Sequence, residues 1–224
     1  MRWLDERLDK RLVVTLLSAV EVILQFRHQA CGLLLSELGG YLLGPAQAPA
    51  GTKRLSNLLR SPQWSFELIE RFLWEEASQH LTELETDGET ALALWDESVW
   101  EKPESLAIEG LCAVRSSQAD RLKRIKPGFY TPPARPIFVP GMNWLGVLLI
   151  GMKGLPSLAA LRWWTKRGKF ASDRRSEEKA LLAALCQAWG KRVLHVFDRG
   201  FAGPPWLTEL SEQQMRFVMR WPKG

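Results

Sequence analysis

Residues 91–96 read Ala-Leu-Ala-Leu-Trp-Asp, and residues 193–198 read Val-Leu-His-Val-Phe-Asp. In both stretches five mostly apolar residues are followed directly by an aspartate, Asp96 in the first and Asp198 in the second. A short, nearly continuous apolar run is typical of a strand that is buried on both faces of a sheet. The two stretches therefore predict two core strands, each with an acidic residue immediately after it.

The residues between and after these stretches predict the other elements of an α/β domain. The predicted elements are strands over 143–150 and 158–165, a helix over 176–189 with Ser176 as its N-cap, a helix over 204–210, and a strand over 216–221. This order of strand, hairpin pair, helix, strand, helix and strand is that of an RNase H-like domain. We therefore expect a mixed sheet with flanking helices, in which the Asp96 and Asp198 strands are parallel and adjacent.

The two aspartates are the candidate site of chemistry. Open α/β sheets bind ligands at the carboxyl ends of their strands, which is where Asp96 and Asp198 are predicted to lie. A single aspartate after an apolar run is often only a cap or a turn residue. Two of them on neighbouring strands can instead hold Mg²⁺, which prefers oxygen ligands. A pair of such ions activates the attacking oxygen and stabilises the leaving oxygen in phosphodiester transfer.

The first 86 residues predict helices. The predicted elements are a helix from Leu4 to about Leu24, a helix from Cys31 to Leu43, a turn over 47–51, a basic amphipathic helix from Thr52 to Arg60, and a helix from Pro62 to about Leu84. The pattern changes at Thr86-Asp87-Gly88. We therefore predict an all-α domain over 1–86 and the α/β domain over 87–224.

Composition narrows the class of protein. With 46% hydrophobic and 25% charged residues the chain is globular, and a net charge of +5 weakly favours an anionic partner such as nucleic acid. Three separate cysteines, Cys31, Cys112 and Cys186, argue against a zinc site or a disulfide framework. The charged N-terminus and the short apolar runs predict neither a signal peptide nor a membrane span, which favours the cytoplasm.

Three segments resemble bacterial insertion-sequence transposases that carry a D-D-E triad. Residues 94–105, Leu-Trp-Asp-Glu-Ser-Val-Trp-Glu-Lys-Pro-Glu-Ser, resemble the first-aspartate region of that family, and residues 196–201, Val-Phe-Asp-Arg-Gly-Phe, resemble its second-aspartate motif. Residues 52–64, with Lys-Arg-Leu-Ser-Asn-Leu-Leu-Arg and a following Trp64, resemble its helical DNA-binding part. The resemblance covers nearly the whole chain and is strongest over 92–224.

The resemblance implies an RNase H-like catalytic domain that uses Mg²⁺ or Mn²⁺ to cut and join double-stranded DNA at transposon inverted repeats. Asp96 and Asp198 would be its first two metal ligands. The third acid of the family is a glutamate in a Y-R-E-x-x-x-K type helix, and the sequence contains no such motif. Glu209 and Glu212 follow Asp198 too early to match. The chain therefore resembles a transposase that stops before its last acid, and it is not expected to catalyse strand transfer by itself.

Basic residues near the three segments are the candidate DNA contacts. They are Lys53, Arg54 and Arg60 in the basic helix, Lys102 after the first aspartate, Arg121, Lys123 and Arg124 in the basic stretch over 115–135, and Arg199 after the second aspartate. Lys102, Arg121, Lys123, Arg124 and Arg199 could equally well be solvated surface residues with no DNA contact. Glu97 is expected to point away from Asp96, because successive side chains of a strand face opposite sides.

Two other functions stay open at this point. One is a catalytically inactive DNA-binding fragment, or a regulator that occupies transposon ends. The other is a different nuclease with an RNase H-like fold, which would complete its site with another acid. The resemblance implies a bacterial, nucleoid-associated protein, and the patterns leave homo-oligomer formation, the terminal repeat and the target site undecided.

Overall fold

The computed structural model describes residues 2–26, 34–103, 108–117, 136–169 and 171–221. The chain divides into two compact units, Met1–Phe72 and Leu73–Gly224. The helices are α1 (Arg2–Asp5), α2 (Lys10–Phe26), α3 (Leu35–Leu43), α4 (Ala48–Arg60), α5 (Phe66–Thr86), α6 (Arg174–Trp189) and α7 (Pro204–Glu212). The strands are β1 (Ala91–Glu101), β2 (Cys112–Arg115), β3 (Phe138–Ile150), β4 (Ser157–Trp164), β5 (Val193–Phe197) and β6 (Phe217–Met219).

The division between the units falls inside α5, whereas the sequence predicts a domain boundary at the end of that helix. The first unit contains α1 to α4 and the beginning of α5. It has two small apolar clusters, one built on Leu4, Leu8 and Val13, the other on Val22, Leu38 and Leu55. The predicted division into 1–86 and 87–224 stays a prediction.

The first helix is shorter than the sequence predicts. A single helix from Leu4 to about Leu24 is wrong, because the chain leaves the helical conformation between α1 and α2. The carboxylate of Asp9 accepts a hydrogen bond from the backbone amide of Arg11 at 2.8 Å, as an N-cap side chain does, and so begins α2. The helix predicted from Cys31 begins only at Leu35, because Leu34 has an extended backbone; Cys31 itself lies outside the described residues, and α3 ends at Leu43 as predicted.

The predicted turn over 47–51 is also wrong, since α4 begins at Ala48 and includes Gly51. Gly51 lies where α4 meets α3. A Cβ atom at Gly51 would lie 2.1 Å from the carbonyl oxygen of Gly39, and one at Gly39 would lie 2.3 Å from the backbone nitrogen of Thr52. Gly51 therefore allows α3 and α4 to pack closely, because it has no side chain, although in the sequence it suggests a turn. The predicted basic helix from Thr52 to Arg60 is confirmed as the remainder of α4.

The second unit contains the predicted mixed sheet with flanking helices, which is confirmed. Among the described residues six strands form one sheet in the order β2-β3-β1-β5-β6, and β4 also pairs with β3. Strand β1 is antiparallel to β3 and parallel to β5, and β5 is parallel to β6. The predicted parallel and adjacent placement of the strands before Asp96 and Asp198 is therefore confirmed.

One face of this sheet carries the main core. Ala91, Ala93 and Trp95 of β1 are at most 3% exposed, and they pack with helical side chains such as Leu81 of α5 and Leu182 of α6. Residues of β1 with the opposite parity, including Leu92, Leu94 and Asp96, lie on the other face and are partly or fully exposed. The alternation thus separates a packed helical face from a face that carries an acid.

Several element boundaries differ from those predicted. Asp173, and not Ser176, caps α6, because its carboxylate accepts the backbone amides of Arg175 and Ser176. Helix α5 begins at Phe66 rather than at Pro62. Strand β2 was not predicted, because its four residues lie in a stretch that reads as polar. No helix in the described part of the chain has both the length and the apolar character that crossing a bilayer requires.

We predict that Gly51→Ala destabilises the first unit by about 1–3 kcal/mol or more, because its new methyl group would overlap the backbone of α3. Gly40→Ala is the matched control, since a Cβ there would lie 3.5 Å from the Cβ of Ala48, an ordinary contact. In that variant the higher helix propensity of alanine should raise stability by up to about 1 kcal/mol. Urea unfolding followed by circular dichroism measures the stability of both variants. An unfolding midpoint of Gly51→Ala equal to that of the wild type would contradict the proposed close contact.

Candidate active site and basic groove

Asp96 and Asp198 occupy matching positions on adjacent parallel strands. The last paired residues of β1 and β5 are Trp95 and Phe197, so the two aspartates are the next residue of each strand. Trp95 and Phe197 both belong to the main core, and each aspartate follows with the opposite parity. The aspartates therefore start from neighbouring backbones, about 4.8 Å apart in a sheet. Asp96 lies on the face of β1 away from the core, and Asp198 is exposed at the start of the turn after β5.

Asp96 lies inside a strand and not at its end, which corrects the sequence prediction. Strand β1 continues to Glu101, because β3 goes on pairing with it after β5 has stopped. The residue of β3 opposite Asp96 is Gly146. Asp96 is thus exposed and has regular strand backbone on both sides, with no side chain at the paired position of β3.

The residues after Asp198 hold its carboxylate in place. Oδ1 of Asp198 accepts the backbone amide of Gly200 at 2.7 Å, which begins a short 3₁₀ turn over Arg199–Phe201. Phe201, only 1% exposed, anchors the turn in the core. A Cβ atom at Gly200 would lie 2.9 Å from Oδ1 of Asp198, so a larger residue there would displace the carboxylate. The Asp-Arg-Gly-Phe motif therefore fixes the orientation of its own acid.

Glu97 points to the helical face, as predicted from the alternation of the strand. Its carboxylate binds Arg174 of α6, with Nε to Oε1 at 2.9 Å and Nη2 to Oε2 at 2.5 Å. Burial raises the pKa of Glu97 to about 7, and the nearby Glu178 carboxylate acts in the same direction while Arg174 opposes it. Glu97 is therefore part of a side-chain cluster on α6 and not a third acid beside Asp96.

The aspartate pair fits a divalent cation as a partial ligand set. Both side chains are exposed carboxylates with oxygen donors, which suit Mg²⁺ or Mn²⁺. Within the described ranges no group of three or more histidine, cysteine, aspartate or glutamate side chains could hold a metal.

The basic helix lines a groove in the first unit. Lys53 and Arg54 of α4 face Arg11 of α2 across a cavity of about 410 Å³. The Nε atom of Arg54 donates to the hydroxyl of Thr15 at 3.0 Å, which holds this guanidinium between the two helices. Arg11 was missed from the sequence, because only the packing of α2 on α4 brings it near. Arg60 is exposed at the end of α4 and does not line the cavity.

The other predicted DNA contacts are dispersed. The ammonium of Lys102 lies 4.9 Å from the ring centroid of Trp100, where its charge meets the aromatic face. Arg199 is exposed in the turn directly after Asp198. Arg121, Lys123 and Arg124 lie outside the described residues. DNA binding by each of these residues stays a prediction.

His195 joins the two strands that carry the aspartates. The indole Nε1 of Trp95 donates to Nδ1 of His195 at 2.9 Å, and both side chains are buried. Because Nδ1 accepts this bond, the neutral ring carries its proton on Nε2. Burial lowers the pKa of His195 to about 4. The side chain is therefore a neutral link between β1 and β5, although its buried Nε2 has no hydrogen-bond partner among the described residues.

Comparison with known proteins gives only weak likenesses. No family model matches the chain, and no curated protein matches it. The Mos1 transposase paired-end complex with left transposon end is 13% identical with a TM-score of 0.30, over 89% of this chain and 57% of that chain. The pre-cleavage Mos1 transpososome is 12% identical with a TM-score of 0.27, over 89% and 58%. The chain thus spans somewhat more than half of those chains, and likenesses this weak support no argument about its function.

We predict that His195 makes the stability of the protein fall as the pH drops from about 6.5 to about 4. In this window the histidine is protonated in the unfolded chain and still neutral in the folded one, so unfolding takes up a proton. Over this whole pH range, His195 lowers the free energy of unfolding by about 3 kcal/mol. Glu97, whose pKa is raised, acts oppositely, since its contribution is lost as the pH rises from about 4.5 to about 7.

The variant His195→Gln separates the two contributions, because glutamine can accept the Trp95 hydrogen bond but does not titrate. The stability advantage of the wild type over this variant should shrink on acidification. Urea unfolding at a series of pH values measures it, and an advantage that is independent of pH would contradict the buried neutral ring.

Proposed function

We propose that this chain belongs to a DNA transposase of the D-D-E type, with an RNase H-like domain in which Asp96 and Asp198 hold Mg²⁺ or Mn²⁺. The observation that carries the proposal is the parallel register of β1 and β5, in which Trp95 and Phe197, the residues directly before the two aspartates, are paired. The order of strands and helices in the second unit, which is that expected of an RNase H-like domain, supports it. A nucleoid-associated location in a bacterial cytoplasm would follow from action on DNA.

Three side chains of the proposed site, those of Asp96, Asp198 and Arg199, would contribute to binding a phosphodiester. When bound, divalent ions supply activation of the attacking oxygen and charge stabilisation of the leaving oxygen. The carboxylates of Asp96 and Asp198 would hold those ions on an exposed face that a phosphate can approach. Arg199, directly beside Asp198, would offer a guanidinium to a neighbouring phosphate. Glu97 stays with Arg174 and takes no part.

We predict that the protein binds Mn²⁺ and that Asp96→Asn and Asp198→Asn each weaken binding by at least about tenfold, since even outer-shell partners of a metal are worth that much. Each variant removes one oxygen charge and keeps the side-chain size. Asp87→Asn is the matched control, because Asp87 is an exposed aspartate in the turn after α5. Calorimetric titration measures the affinities. Equal binding by all four proteins would rule out the aspartate pair as the metal site.

The first unit is proposed to bind duplex DNA through the groove of Arg11, Lys53 and Arg54, with Arg60 beyond it. Three basic side chains converge on one cavity, and the remaining residues that line it carry no acid. Phosphate contacts by lysine and arginine release counterions from the duplex, so such binding weakens steeply with salt. The cavity adds Arg11 to the residues proposed from the sequence.

We predict that Arg11→Ala with Lys53→Ala flattens the dependence of DNA affinity on salt by about 0.9 log units per log unit for each phosphate that these side chains neutralise in the wild type. The control removes two charges from the other unit, by Lys153→Ala with Lys191→Ala. Fluorescence anisotropy with a labelled duplex of mixed sequence at several salt concentrations gives both slopes. A folded groove variant whose slope matches the wild type would place DNA binding elsewhere.

A second candidate function is DNA binding without strand transfer, as in a regulator that occupies transposon ends. It is favoured by the acid set, because the proposed site has two carboxylates, and two leave a pair of divalent ions short of ligands. Incubation with supercoiled DNA and Mn²⁺ separates the two. Nicking or joining that Asp96→Asn abolishes supports catalysis, whereas DNA binding with no cleavage supports the regulator.

A further inference from the structure

Arg174, the first residue of α6, contacts both chain segments that carry the aspartates. It binds the carboxylate of Glu97 through Nε at 2.9 Å and Nη2 at 2.5 Å. The same Nη2 donates to the carbonyl oxygen of Gly200 at 2.9 Å, and the guanidinium carbon lies 5.5 Å from the ring centroid of Phe201. Glu97 follows Asp96 directly, and Gly200 is the second residue after Asp198. One side chain therefore links β1 to the turn after β5.

The guanidinium of Arg174 is itself held by a buried acid. Its Nε lies 2.8 Å from Oε1 of Glu178, a side chain with 0% exposure, and Nη1 of Arg175 lies 2.6 Å from Oε2 of the same carboxylate. Two acids and two arginines thus form one cluster without net formal charge. A guanidinium presents five donors in a fixed plane, so Arg174 can satisfy Glu97, Glu178 and Gly200 at once, which a lysine ammonium cannot do in the same geometry.

We infer that Arg174 is a positioning residue that sets the placement of the Asp96 and Asp198 carboxylates relative to each other. This inference rests on the proposed metal site. Arg174 acts on β1 through Glu97, and on Asp198 through Gly200, whose amide binds Oδ1 of Asp198 at 2.7 Å. Outer-shell contacts of this kind change metal affinity by about 10- to 100-fold when they are removed.

Arg175 provides a matched control for Arg174. It is the next residue of α6, it also pairs with Glu178, and its guanidinium lies 5.4 Å from the ring centroid of Trp206. The variants Arg174→Lys and Arg175→Lys both keep the charge that Glu178 needs. Only the first removes the planar fork that reaches Glu97 and Gly200.

The first measurement needs no metal. The hydrogen exchange rate of the Gly200 amide reports its hydrogen bond to Asp198, and the rate of a core amide such as Leu182 reports global stability separately. The Gly200 rate should rise at least about tenfold in Arg174→Lys, as expected for the loss of one charge-assisted hydrogen bond, and stay near the wild-type value in Arg175→Lys. An unchanged Gly200 rate in Arg174→Lys, or equal increases in both variants, overturns the inference.

The second measurement is Mn²⁺ affinity, which should fall about 10- to 100-fold in Arg174→Lys and stay unchanged in Arg175→Lys. A wild type that binds no Mn²⁺ but shows the Gly200 effect would remove the proposed metal site and keep the structural link. If Arg174→Lys does not fold, Arg174→Gln with Glu97→Gln replaces it, because that pair removes one charge of each sign and leaves the buried Glu178 paired with Arg175. Arg175→Gln with Glu178→Gln is then its control, judged by the same two measurements.

Discussion

The parallel pairing of β1 with β5 is the constraint on which the rest of the second unit depends. The five pairs from Ala91 and Val193 to Trp95 and Phe197 bring together segments that lie about a hundred residues apart in sequence. The buried Trp95–His195 hydrogen bond joins the same two strands. Because the chain must run from one strand to the other through β2, β3, β4 and α6, that register also fixes where those elements can lie.

The alternation of side chains along β1 then assigns two adjacent acids to two different tasks. Asp96 faces away from the core and stays exposed, where an ion or a phosphate can reach it. Glu97 faces α6, where Arg174 and the buried Glu178 turn it into part of a charge cluster. The two carboxylates have the same chemistry, but that of Glu97 is partly removed from water where it packs against α6. This desolvation is the main reason that the pKa of Glu97 is raised.

Local sequence was enough to predict the features that depend on near neighbours. Runs of apolar residues indicated β1, β5 and most of β3 and β4, and the chain order indicated the parallel and adjacent placement of the strands that precede Asp96 and Asp198. The features that depend on distant contacts were missed. The sequence suggests a turn at Gly51, and only its packing against Gly39 shows that it belongs to a helix contact. The sequence also suggests that β1 ends at Asp96, and only the pairing with the long β3 shows that the strand continues. Arg11 and Arg174 gain their partners from other elements, which no local pattern reveals.

The two-residue period of β1 also has a consequence for how this chain can change by insertion or deletion. Removing or adding one residue between Ala91 and Trp95 would shift the strand by one position and exchange its two faces. Removing one residue would put Glu97 in the position next to Asp198, whereas adding one would bring Asp96 to the position that faces Arg174. Either change would move apolar side chains out of the core. Single-residue length changes are thus excluded from this short stretch, whereas residues 154–156 in the turn between β3 and β4 are all exposed and can accept them.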